Sequence, residues 1–574
     1  MRFPTIGGGG LPRTLVAAAA SAAFVLAPIS GAQDEAAEPD RSSLTITGRS
    51  WDELLLAVKT IAEAATPAAG DMIDGALVGM LGDVPDHTDT DAPIHVVMIM
   101  PQVMGQAPDL FFLVKPTNSK ALRGAINDLP QAEGLGVAKF GEHVLFGPKD
   151  SKTAADMVEI AEGWTAPAGH DAPEHDVRIT LQTNQIERQT AGAMARGLVG
   201  MAGGQMSAEL GESGVGVEEM NLMMQTYGQI AELLIAGTDT LVLDINVTDE
   251  ELRIVSVLDT AKDSALASAV AAPTKNGANL SKYLNHNQIF SVAYRLEDNE
   301  AMTATMDEMT KLVTTMSKMG GIDYADFPEV MEKIGRDSVP SIGGAGLSFE
   351  GGQMSGFALY ELTGDQDVKA YYDAMISMVD EVDIGEESAY SSMKLERGVS
   401  KIEGLSIDRV TMELNTELFG DELGGQEMVD IMTSIYGEDG LVMNYAQSGN
   451  KIYYGIGENT VEKALKLGEL DPSALPIEAN ENTYFIGTYN VLEYMRFVGQ
   501  LMTKMMPPEM ADFNPFAGIG PREDDEPVIG FRTDLTPGQI HGEIVLPLEV
   551  ITTVSDSMQR AMMQNFEQEE IFIE

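Results

Sequence analysis

Two periodicities alternate along this chain, and the same combination recurs. "VAKFGEHVLF" alternates apolar and polar positions about Gly141–Glu142, the period-two pattern of a β-hairpin. "KDSKTAADMVEIAE" follows with helical spacing, and Asp150 or Ser151 is placed to cap it. "NYAQSGNKIYYG" then "ENTVEKALKLGE" repeats this about Gly449–Asn450, with Asn459 as the cap. The offset between Gly141 and Gly449 is 308 residues.

A second kind of unit tests that offset. "DVRITLQTNQIERQTAGAMARGL" reads as a strand ending at Asn184, which caps a helix, and "TYFIGTYNVLEYMRFVGQLM" does the same at Asn490, 306 residues on. Each leads to a hairpin, turning at Asp249–Glu250 and at Pro537–Gly538. A third copy, "QIFSVAYRLEDNEAMTATMDEM", with Asp298 as cap, leads to a hairpin about Gly351–Gly352. Tight returns between strands predict an α+β fold of antiparallel sheets with helices packed on one face, internally duplicated. The expected division is a signal peptide over 1–32, a first lobe over 33–275, and a second over 276–574. The second repeats the units of the first and adds one strand–helix–hairpin unit. Met302, Met306, Met309, Val313, Met316 and Met319 or its neighbour form one helical stripe, and Leu492, Met495, Val498, Met502 and Met505 another, the pattern of helices buried against a sheet.

Arg2 and Arg13 precede an apolar run from Leu15 to Ile29, followed by small residues at Ser30–Ala32. That is the pattern of a cleaved export signal, too short to span a bilayer, which takes about 20 residues. The expected location is periplasmic or extracellular, with no transmembrane segment in the mature chain. The net charge of −53 argues against nucleic acid and anionic membranes as partners. With no cysteine, disulfides and thiolate chemistry are excluded.

Catalytic patterns do not stand out. "GPKDSKT" lacks the Gly-Lys-Ser/Thr ending of a phosphate loop, and with 89 Asp and Glu, close carboxylate pairs arise by chance. Asp86, Asp89 and Asp91 in "DHTDTD" could offer oxygen ligands to calcium, without the Gly and distal Glu of an EF-hand. His170, Glu174, His175 and Asp176 could form a mixed nitrogen–oxygen site in a Pro-rich linker. The 35 Met residues offer thioethers to copper(I), but their helical spacing suits adaptable core filling. A Met-lined groove is the other use. Leu492, Met495, Met502 and Met505 would line it, under Phe513 and Phe516 from the Pro-rich stretch 505–527.

"NLSKYLNHNQIFSVAYRLED" (Asn279–Asp298) resembles a pattern in uncharacterised exported bacterial proteins of domain-of-unknown-function type, which repeat a Tyr-Leu-Pro-like approach to a strand and helix. Asn285 stands here where such proteins often carry proline. The resemblance implies an extracytoplasmic α+β protein and carries over no functional residue. Three readings of function follow. The first is a non-catalytic binding protein for an apolar small molecule or partner segment. The second is a structural or interaction protein that meets envelope or matrix proteins. The third is a carboxylate- or metal-dependent hydrolase.

Overall fold

The structure is a computed structural model. It describes residues 44–65, 82–99, 109–129, 132–149, 176–182, 237–271, 277–285, 288–295, 322–323, 340–350, 352–362, 368–377, 383–384, 390–416, 425–457, 460–467, 475–505, 514, 516, 519–520 and 526–557. These fall into two compact units, divided between Ala267 and Ser268.

In the first unit the strands are β1 (Leu44–Gly48), β2 (Ile94–Ile99), β3 (Asp109–Val114), β4 (Leu135–Phe140), β5 (His143–Pro148), β6 (Val177–Gln182), β7 (Thr238–Val247) and β8 (Glu251–Thr260). All pair antiparallel, in the order β4-β5-β3-β2-β1-β6-β7-β8. Helix α1 (Trp51–Ala65) follows β1, and α2 (Ser119–Asn127) follows β3. Asn118 starts α2, its Oδ1 accepting the N–H groups of Lys120 and Ala121, which the first helical turn leaves without a partner.

The second unit holds β9 (Phe290–Arg295), β11 (Pro340–Glu350), β12 (Gln353–Leu362), β14 (Tyr390–Ile402), β15 (Leu405–Leu414), β16 (Leu441–Ser448), β17 (Lys451–Ile456), β18 (Thr483–Tyr489), β19 (Ile529–Thr536) and β20 (Gln539–Pro547). Their order is β14-β15-β16-β17-β12-β11-β9-β18-β19-β20, again antiparallel throughout. β10 (Ile322–Asp323) and β13 (Asp383–Ile384) form a separate two-stranded ribbon. Helix α3 (Ala265–Ala269) straddles the division, and the second unit also holds α4 (Val368–Ser377), α5 (Gly425–Tyr436), α6 (Thr460–Leu465) and α7 (Val491–Met505).

Each pairing of the first unit has a counterpart in the second: β9, β11, β12, β16, β17, β18, β19 and β20 stand to one another as β1 to β8 do. Among the described residues the β14–β15 hairpin has no counterpart, and it enters where the spacing between equivalent strands lengthens, between β12 and β16. The buried residues repeat as well. Phe111, Leu113, Ala138 and Leu145 cluster in the first unit, and Phe357, Leu359, Ala446 and Tyr453 occupy the same register positions in the second. Within each unit, two halves, each a strand leading to a hairpin, meet at a central antiparallel pair, β1–β6 or β9–β18. The stretch beginning at Phe290 is therefore the opening half of the second unit, and its partner in the first is β1 to β3, which the sequence pattern did not reveal.

The helices of the second unit do not keep to one face. Tyr360 on β12 and Ile452 on β17 pack with Val368, Tyr372 and Ile376 of α4. Their immediate neighbours Leu359 and Tyr453 pack with Val461 and Ala464 of α6. Successive strand residues point to opposite faces, so α4 and α6 lie on opposite sides of the sheet. The expectation of helices on one face fails here because both faces of β12 and β17 are apolar, and each needs cover.

Candidate functional site

One face of β9, β18, β19 and β20 carries the most unusual chemistry among the described residues. Residues directly opposite in antiparallel strands share a face. Phe290, Val292 and Tyr294 lie opposite Tyr489, Gly487 and Phe485, which lie opposite Ile529, Phe531 and Thr533. Gly542 and Ile544 complete the row on β20. None of these eleven side chains is charged, in a chain with 89 carboxylic acids.

The rings form a connected strip. Phe485 stacks on Phe531 at 5.6 Å between centroids, and Phe531 on Phe290 at 6.1 Å. Phe290 meets Tyr489 edge-on at 6.4 Å, and Tyr489 meets Tyr494 of α7 at 6.1 Å. Offset and edge-on contacts at such separations suit the ring quadrupoles. Phe290 is 39% exposed, Tyr494 42% and Ile544 44%, so the strip is open to solvent at Tyr494, at Phe290 in its middle, and along β20. Burial pushes the Tyr489 hydroxyl above its ordinary pKa, and Tyr494 adds to the shift.

Glycine makes the strip flat. A Cβ on Gly487 would lie 2.4 Å from Cζ of Phe531, and one on Gly343 would lie 2.4 Å from Cζ of Tyr294. Each ring folds across the neighbouring strand where the side chain is missing. In the first unit the matching positions are Leu44 for Phe290, Leu181 for Tyr489, Leu243 for Phe531 and Ile179 for Gly487. The aromatic–glycine pairing thus belongs to one unit only, and an aliphatic pairing of similar volume replaces it in the other.

Beside the strip, α7 is fastened at its start. Asn490 Oδ1 accepts the Glu493 N–H at 2.8 Å, the cap read from the sequence. Asn490 Nδ2 donates to Glu526 at 3.0 Å, and Arg496 forms an ion pair with Glu526 and another with Glu493 at 2.8 Å. Arg496 also donates to the Gly520 carbonyl at 2.6 Å. These carboxylates hold its guanidinium above the ordinary value, with hydrogen bonding to Glu526 the chief cause.

The residues singled out from the sequence are placed as follows. Leu492 is 5% exposed and Met495 9%, so these two belong to the core and do not line an open groove. Met502 is half-buried. Phe516 does come to this helix face: its Cβ lies against Gly499, one turn after Met495, and Asn514 donates to the Gly499 carbonyl. Phe513 and the side chain of Met505 lie outside the described residues, as do Asn184, Asp298, Asn459, Asp150, Ser151, the stripe from Met302 to Met319, and His170, Glu174 and His175. Asp176 is engaged structurally, accepting the Val247 N–H at 2.7 Å.

The proposed calcium ligands do not converge. Asp89 pairs with Lys115 at 2.9 Å, and that hydrogen bond holds its carboxyl below the ordinary range. Among the described residues no group of three or more His, Asp or Glu is placed to hold a metal ion, so Asp86, Asp89 and Asp91 form no such group. No described helix is long and apolar enough to cross a membrane. The aromatic strip was missed because its members come from three separated segments. The alternation in "QIFSVAYR" and "TYFIGTYN" was the available signal.

No family model, no curated protein and no solved structure matches the chain.

Proposed function

We propose that this chain is an exported, non-catalytic binding protein, built by internal duplication of one α+β unit, whose second unit holds an apolar ligand or partner segment on the strip Phe485–Phe531–Phe290–Tyr489–Tyr494. The observation that carries the reading is the exposed, connected ring strip on an uncharged face of a chain of net charge −53. An apolar surface persists in such a chain where contact with another apolar body offsets its exposure to water. Flat rings over glycine offer a stiff platform that loses little side-chain entropy on binding. The one-for-one recurrence of strand pairings supports duplication, with change of side chains in one copy. Arg2, Arg13 and the apolar run to Ile29 support export.

The test uses an uncharged fluorescent probe, N-phenyl-1-naphthylamine, titrated into the protein. Saturable binding is expected, weakened about tenfold, or about 1.4 kcal/mol, in Phe290→Ser with Ile544→Ser. Equal binding by the variant, with its fold intact by circular dichroism, removes the strip as the site.

A further inference from the structure

The outer edge of β4 has a counterpart that is filled. In the two-residue turn at Gly141–Glu142, Phe140 and His143 close the hairpin as a hydrogen-bonded pair. Alternation then turns the backbone groups of Ala138 and Gly136 toward β5, and those of Leu135, Val137 and Lys139 away from it. Pro148, which has no N–H, stands opposite Leu135, as that alternation requires. In the second unit, Met443 and Tyr445 of β16 hold the places of Leu135 and Val137, and β15 pairs with them through Val410 and Asp408. Among the described residues no strand pairs with the outer edge of β4.

We propose that this edge is an interface between two copies of the chain, β4 pairing antiparallel with β4 of a second copy about a two-fold axis. It is an interaction separate from the ring strip. Centred on Gly136, the pairing sets Leu135 opposite Val137, both with outward backbone groups, and leaves no side chain at the axis. At each end the exposed Lys139 of one copy approaches the turn Ala132–Gly134 that precedes β4 of the other and carries the exposed Glu133, so that opposite charges face each other on each side of the axis. The fold accepts a strand in this lane, since β15 fills it in the second unit. Each copy carries a net charge of −53, so the pairing opposes a long-range repulsion that salt screens over about 10 Å at 0.1 M. Association therefore strengthens as salt is added.

Sedimentation equilibrium of the full chain, from about 1 µM to about 100 µM, tests this. The expected result is a monomer–dimer equilibrium that shifts toward dimer with added salt. Lys139→Pro removes one outward N–H, leaves the β4–β5 hydrogen bonds, and follows a residue already extended. It is expected to weaken the dimer at least tenfold. Hydrogen exchange of the unaltered chain gives a second reading, with protection at the amides of Leu135, Val137 and Lys139 rising with concentration. A monomer throughout the range overturns the proposal. So does a dimer that Lys139→Pro leaves unchanged, or one whose formation leaves those three amides unprotected.

Discussion

The ring of Phe531 fills the space above Gly487, so close that a Cβ there would lie 2.4 Å from its Cζ. The two residues face each other across β18 and β19. Phe531 in turn bridges Phe485 and Phe290, so one missing methyl group positions three rings.

Gly487→Ala is expected to lift Phe531 and break the strip. The Ser291 carbonyl lies 2.8 Å from the added carbon, which leaves little room to relax. A cost of about 1–3 kcal/mol is expected from overpacking. Urea unfolding measures it, and the probe's affinity should fall in the same variant.

Tyr283 donates to Glu361 at 3.1 Å, and burial, with Glu361 adding to it, pushes its hydroxyl from 10.0 up to about 12. The folded state therefore favours the neutral phenol. Its stabilising contribution is complete below pH 10 and is lost as pH rises toward 12. Tyr283→Phe should flatten the fall in the urea midpoint over that interval. An unchanged slope would show that the loss comes from other groups.

Glu526 holds both Arg496 and Asn490 with its side chain 6% exposed. Glu526→Ala leaves a half-buried guanidinium with Glu493 as its remaining carboxylate partner, and a loss of about 3 kcal/mol is expected. Hydrogen exchange should show faster opening at the start of α7, and none near β4.

Asp408 accepts from Tyr372 at 3.1 Å, from Arg397 at 2.8 Å and from the Gly398 N–H at 2.9 Å. These bonds fasten the β14–β15 hairpin to α4. Asp408→Ala should cost about 1–3 kcal/mol by leaving the buried Tyr372 hydroxyl without its acceptor. Proteolysis should then cut first within 397–404.

The local elements were largely legible. Turns read at Gly141–Glu142, Gly449–Asn450 and Pro537–Gly538 are turns in the structure, because tight returns demand residues that accept unusual backbone angles: Gly141 has φ +53°, Gly449 +58° and Gly538 +79°. The β14–β15 hairpin escaped notice although Glu403–Gly404 marks its turn, with φ +49° and +87°. Its alternation has exposed residues on both faces near the tip, so no clean apolar pattern betrays it.

Burial was legible in part. Leu492 and Met495 share a helical stripe in the sequence, but spacing alone does not say whether a stripe meets solvent or the protein's own chain. Asn514 and Phe516, from beyond the end of the helix, pack on Gly499, one turn after Met495.

The sequence by itself determined the elements that depend on neighbouring residues: hairpins from period-two alternation and turn glycines, helices from spacing, the Asn490 cap, and the acidic surface. The tertiary structure alone decided which strands lie side by side. Phe290, Tyr489 and Phe531 come together only because β18 pairs with β9 on one edge and β19 on the other. Register between distant strands is set by long-range packing, and a single sequence does not encode it locally. The same holds for β4 and β16, alike in pattern, of which one has a strand beside it.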